Sequence, residues 1–102
     1  MDIAHGLNLD NTTEEIEKIR ARCNAARSAP WVSIIEGRDQ TSGSSFIMIG
    51  EGDNREEDLY LTGDDLSVSV ADYDFIANAR QDIPFLLAEI DRLKAQSIDK
   101  PN

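Results

Sequence analysis

The sequence predicts an α+β fold: an N-terminal helix, a small antiparallel sheet of three to four strands, and two C-terminal helices. Three observations carry this reading. Ile16, Ile19, Cys23 and Ala26 recur at spacings of three and four, the repeat of one helix face. From Trp31 to Val70 the chain breaks into short β-branched and aromatic runs separated by Gly-, Ser- and Asp-rich turns. Ile83, Leu86, Leu87, Ile90 and Leu93 then return to the helical repeat. A helix, a run of strands and a run of helices make an α+β plan, not an alternating βα one.

With 102 residues the chain suits one domain with a modest core. Residues 1–11 read as a tail, 12–97 as a single α+β domain, and 98–102 as a polar C-terminal tail. The first helix is expected to start at Thr12-Thr13-Glu14-Glu15. There Thr12 caps the N–H of Glu15 while Glu15 reaches back, and the two acids suit the positive end of the helix dipole. Lys18 and Arg22 lie along one edge of its apolar stripe, Arg20 and Arg27 along the other, and Pro30 stops it.

Trp31 to Glu36 reads as a strand and Gly37 to Ser45 as a polar hairpin loop. Phe46 to Ile49 is a second strand, followed by an acidic loop from Glu51 to Asp58. Leu59-Tyr60-Leu61 is a short third strand. Leu66, Val68 and Val70 alternate with Ser67 and Ser69, the pattern of a half-buried fourth. Asp72 would cap a short helix holding Phe75, Ile76 and Ala79. Asp82 would cap the last helix, with Pro84 in its first turn. The apolar stripe of that helix has two readings: it covers the sheet, or part of it pairs with a second copy. So small a scaffold leaves little room to hide every apolar face, so a homodimer or higher homo-oligomer is expected.

Charge excludes several functions. The formal net charge is −10, which disfavours nucleic-acid polymers, whose binding rests on neutralising phosphates, and anionic membrane surfaces. No apolar run approaches the roughly 20 residues of a membrane span. Residues 1–10 lack the basic start and apolar stretch of a signal peptide. Cys23 is the one cysteine, so no internal disulfide forms, and a reducing cytoplasm is the expected compartment. The charge is also uneven. Residues 51–65 hold seven acids and one base, Arg55. Residues 18–35 hold Lys18, Arg20, Arg22 and Arg27 and no acid.

Little in the chain is equipped for catalysis. His5 is the single histidine and falls in the tail, where no nucleophile is held beside it. Zinc sites need several Cys and His ligands at set spacings. Gly50-Glu51-Gly52-Asp53-Asn54 lacks the ending of a phosphate loop and the spacing of an EF-hand. Glu56, Glu57 and Asp58 are consecutive and cannot converge on one ion. Asp64 and Asp65 are adjacent and read as a solvated turn. No catalytic residue, metal ligand or cofactor is expected.

The basic segment carries the binding hypothesis. Guanidinium groups bind phosphate or carboxylate through paired hydrogen bonds, and an indole can stack on a base. Arg20, Arg22, Arg27 and Trp31 are therefore the candidate site for a small anionic, nucleotide-like ligand. The ordinary alternative is that Glu14 pairs with Lys18 and Glu17 with Arg20, while Trp31 belongs to the core.

Two stretches also carry a resemblance. One is Ile19-Arg20-Ala21-Arg22, then Ala25-Ala26, then Pro30-Trp31. The other is Ala71-Asp72-Tyr73-Asp74-Phe75-Ile76-Ala77-Asn78-Ala79-Arg80, then Asp82-Ile83-Pro84, then Leu86-Leu87-Ala88-Glu89-Ile90 and Leu93. Together they resemble the small Ead-like proteins of phages and prophages, and cover about a third of the chain closely. The resemblance implies a context and no site: an accessory phage protein acting in a bacterial host cell. Its expected function is non-enzymatic capture of an immune-signal-like ligand to counter host defence. The alternative is an acidic inhibitor that engages a basic host protein through residues 51–65.

Overall fold

The computed structural model describes residues 9–61 and 67–99. They form helix α1 (Leu9–Ala25), strands β1 (Trp31–Ile34) and β2 (Phe46–Ile49), a single 3-10 turn (Gly52–Asn54) and helix α2 (Val70–Asp99). The class is α+β, as the sequence predicts. The element count differs: two strands and two helices stand among the described residues. The chain divides into two compact units, one from residues 1–26 with 84–102 and one from residues 27–83.

In the second unit, β1 and β2 pair antiparallel, with Trp31 opposite Ile49 and Ser33 opposite Ile47. Period-two alternation puts Ile47 and Ile49 on one face, where both are fully buried. Ile35, Tyr73 and Ala77 complete that core, with Trp31, Leu59, Leu61, Val68 and Ile76 packed around it. The Tyr73 hydroxyl donates to the Ser45 carbonyl at 3.3 Å. Gly50 turns the chain out of β2 at φ 75°, and its N–H donates to the Pro30 carbonyl at 2.8 Å. A Cβ there would lie 2.3 Å from the Asn54 carbonyl oxygen. Only glycine meets both demands.

Two expected strands are reduced or absent. Leu59 pairs with Ile47 as an isolated antiparallel bridge, through bonds of 2.8 and 2.9 Å. Glu56 N–H also donates to the Ile49 carbonyl at 2.8 Å. The edge of β2 is thus satisfied at two points. Between them the Glu57 carbonyl accepts from Arg27 instead of joining the ladder. The alternation of Val68 and Val70 yields to a capping box. Asp72 N–H donates to Ser69 Oγ at 3.1 Å and Ser69 N–H to the Asp72 carboxylate at 3.2 Å. That reciprocal pair makes Ser69 the cap and draws Val70 into the helix. Leu66 and the acidic pair Asp64–Asp65 lie outside the described residues.

The two C-terminal helices are one, of 30 residues, with Pro84 inside it. Asp82 is therefore not a cap. Pro84 lacks the N–H that would reach the Arg80 carbonyl, at a cost of about 3 kcal/mol. Good helix formers on both sides, Ala79 to Gln81 and Leu86 to Glu89, carry the helix across it. At the other end α1 already runs from Leu9, so Thr12 and Thr13 lie inside the helix and not at its start.

The first unit holds α1 and the second half of α2. Arg20 Nη2 donates to Asp91 Oδ1 at 3.1 Å, tying the two helices. Ile16, Ile19 and Cys23 on α1 are half-buried, as is Ile90 on α2, and Leu87 is buried. Part of the α2 stripe stays in water, with Leu86 55% exposed and Leu93 49%, and Phe85 beside it is 68% exposed. No described helix is long and apolar enough to cross a membrane.

Candidate functional site

The four residues singled out from the sequence fall in two units. Arg20 and Arg22 belong to the helical unit, Arg27 and Trp31 to the β-containing one. Arg20 is held by two acids. Its Nε faces both carboxylate oxygens of Glu17 at 3.3 Å, and its Nη2 meets Asp91. These acids raise its pKa, the Asp91 hydrogen bond most of all. The expected Glu17–Arg20 helix pair is therefore present, and Asp91 adds a second acid. Arg22 stands exposed in the last turn of α1, at the negative end of the dipole.

Arg27 and Trp31 are brought together. The Trp31 indole N–H donates to the Arg27 carbonyl at 3.2 Å, and the ring packs against the core. The Arg27 side chain turns the other way, and its Nη1 donates to the Glu57 carbonyl at 2.9 Å. Arg80 of α2 then reaches the same point: its Nε donates to the Arg27 carbonyl at 2.7 Å. The next residue, Gln81, locks the backbone of Trp31. Its Oε1 accepts from Trp31 N–H at 2.7 Å, and its Nε2 donates to the Trp31 carbonyl at 3.2 Å. A side-chain amide thus occupies the open edge of β1 as a neighbouring strand would.

Sequence reasoning missed Arg80 and Gln81 as parts of this corner. A faint signal existed. Arg80 stands three residues after Ala77 and seven after Tyr73, so a helix places it on the buried face. A cation at an inward position needs a partner, and here that partner is a backbone carbonyl.

Electrostatics set Arg27 and Arg80 apart. Arg20, Arg38, Arg55 and Arg92 each pair with a carboxylate. Arg27 and Arg80 are half-buried, and among the described residues they meet backbone carbonyls only. This occurs in a chain with 20 acids and 10 bases.

Two open grooves lie elsewhere in the β-containing unit. One, of about 400 Å³, is lined by Gly37 to Thr41. Its cation, Arg38, is taken by Asp39 and by both oxygens of Asp74, and it also touches the buried Ser33 hydroxyl. The other, of about 380 Å³, is lined by Leu61, Ser67, Val68, Asp72, Phe75 and Ile76. It is apolar with one acid. Neither groove offers an anion a free cation.

Glu51, Asp53, Glu56 and Glu57 of the acidic loop are exposed, while Asp58 pairs with Arg55 at 2.7 Å. Among the described residues no group of acids, His and Cys is arranged to hold a metal. No family model matches the chain, and no curated protein or solved structure matches it significantly.

Proposed function

We propose that this chain is a non-enzymatic, phage-derived accessory protein that sequesters a small anionic, nucleotide-like signal and so counters host defence. One observation supports it above the others. Arg27 is a half-buried cation with no carboxylate among the described residues, tied through its own carbonyl to the indole of Trp31. A partly desolvated charge without a counter-ion favours an incoming anion. The resemblance to Ead-like phage proteins supplies the biological context. Arg20 drops back to a structural role in this reading, because two acids already hold it.

Thermal melting against cyclic di- and trinucleotides and ADP-ribose-like signals tests the proposal. A ligand present at about 100 times its Kd adds roughly 2.7 kcal/mol of stability. At least one compound should raise the Tm of the wild type, and Arg27→Gln should lose that rise. A flat response to the whole panel refutes the reading.

We further propose that the protein works as a homo-oligomer, supported by the exposure of Phe85, Leu86 and Leu93 along one helix. A second reading rests on the exposed acids Glu51, Asp53, Glu56 and Glu57. In it, the acidic loop engages a basic host protein. Host-lysate capture that vanishes when Glu56 and Glu57 are neutralised would favour this alternative.

A further inference from the structure

We propose that the outer face of the β-hairpin, opposite its buried core, docks a cationic amphipathic segment of a partner protein. This rests on the acidic-loop reading above and adds to it the apolar surface that the acids flank.

The first observation is the sequence of β2. An antiparallel sheet with one face in water alternates apolar and polar residues. Phe46-Ile47-Met48-Ile49 does not alternate. Ile47 and Ile49 fill the core, so Phe46 and Met48 stand on the opposite face. Their partners in β1 are Ile34 and Val32. Leu59 pairs with Ile47 across the other edge of β2, and Tyr60 lies against Phe46, with ring centroids 5.4 Å apart. Val32, Ile34, Phe46, Met48 and Tyr60 thus share one surface, and none of them belongs to the buried core. Val32 is 41% exposed and Tyr60 52%, while the other three are half-buried. A contiguous apolar patch with aromatic and Met side chains has the composition of a protein-binding surface.

Charge selects the occupant. Glu36 follows Ile34 by two residues, at the hairpin end of this face, and is exposed. At the opposite end the chain leaves β2 through Gly50, and Glu56 N–H returns to the Ile49 carbonyl. Glu51, Asp53, Glu56 and Glu57 are exposed there. Asp58 is already paired with Arg55. Acids therefore stand at both ends of the apolar surface. A second copy would bring acids against acids in either direction, and like charges at an interface repel. An anionic membrane meets the same repulsion. A segment with an apolar centre and Lys or Arg at each end is complementary at every point. From Pro30 to Glu36 an extended chain covers roughly 20 Å. A helix of about 13 residues has that length, and its apolar positions three and four apart would lie on the patch.

NMR of the full chain, following the methyl groups of Val32, Ile34, Met48, Leu86 and Leu93, tests this. The probe is a synthetic helical Leu/Lys peptide of about 14 residues. A Ser/Lys peptide keeps its charge without the apolar face, and a Leu/Glu peptide keeps the face with the opposite charge. The Leu/Lys peptide should move Val32, Ile34 and Met48 to saturation and leave Leu86 and Leu93 in place. The Ser/Lys peptide should bind at least tenfold more weakly, and the Leu/Glu peptide should not bind. Tyr60→Ser should weaken the Leu/Lys peptide by about tenfold or more, the loss expected of an aromatic anchor. The wild-type titrations stand even if that variant folds poorly. Equal binding of the Ser/Lys peptide overturns the docking face and leaves the acidic-loop reading intact. Equal binding of the Leu/Glu peptide, or shifts at Leu86 and Leu93 in place of the sheet, overturns the proposal. So does a wild-type oligomer that Tyr60→Ser turns into a folded monomer, because a second copy then covers the face. No binding of either cationic peptide overturns both the proposal and the acidic-loop reading.

Discussion

At the residue scale, single groups hold the β-containing unit together. Gly50 adopts φ 75° at a point where a Cβ would meet the Asn54 carbonyl oxygen at 2.3 Å. Gly50→Ala therefore combines backbone strain with a clash against main chain, and should cost about 2–4 kcal/mol in urea unfolding. Arg38 joins the turn after β1 to α2. Its hydrogen bonds hold the Asp74 carboxyl below its ordinary range, helped by the Ser33 hydroxyl, and also lower Asp39, helped by the Ile35 N–H. Both folded pKa values lie below the unfolded value of about 3.9. The stabilisation is therefore full above that value and is lost as pH falls through the folded values. Urea midpoints from pH 7 to pH 2 should drop in acid for the wild type. In Arg38→Gln the drop should be smaller, with the two curves converging near pH 2. Parallel curves would show that Arg38 does not set these titrations.

At the element scale, the sequence was legible where one pattern stood alone. The run Phe46 to Ile49, bounded by a loop and a glycine, reads as a strand and is one. Patterns misled where local chemistry competed. Val68 and Val70 alternate with serines, yet Ser69 and Asp72 form a capping box, and the reciprocal hydrogen bonds outweigh a strand pattern of three apolar residues. Asp82 followed by Pro84 imitates a helix start, yet helix formers on both sides keep α2 continuous. Pro84 should thus be a cost inside the helix. Pro84→Ala is expected to stabilise the chain by about 1–3 kcal/mol in chemical denaturation. A destabilised variant would mean that the half-buried ring contributes more packing than the missing hydrogen bond removes.

At the scale of the whole molecule, surface and charge decide the behaviour. The buried hydrophobic residues are few, while Phe85, Leu86 and Leu93 remain largely in water. Light scattering after gel filtration should give an oligomer for the wild type, and Leu86→Gln with Leu93→Gln should shift it to monomer with helicity kept. A monomeric wild type would remove the oligomer from the proposal. The candidate site was only partly legible, and for a physical reason. The acid-free segment 18–35 marks where cations gather, but sequence alone does not tell which of them find acids in the fold. Arg20 finds Glu17 and Asp91, and so is spoken for. Arg27 finds the Glu57 carbonyl instead, and its own carbonyl accepts from Arg80, more than fifty residues away in sequence.

The central claim is that the chain captures a small anionic, nucleotide-like ligand at Arg27 without altering it. Titration calorimetry of the wild type and Arg27→Gln against cyclic dinucleotides, cyclic trinucleotides and ADP-ribose tests it, with chromatography of the ligand afterwards. Saturable heat in the wild type, a loss of about tenfold or more in the variant, and ligand recovered unchanged are the expected results. Absence of heat with every compound, equal affinity in the variant, or recovery of a cleaved product would contradict it.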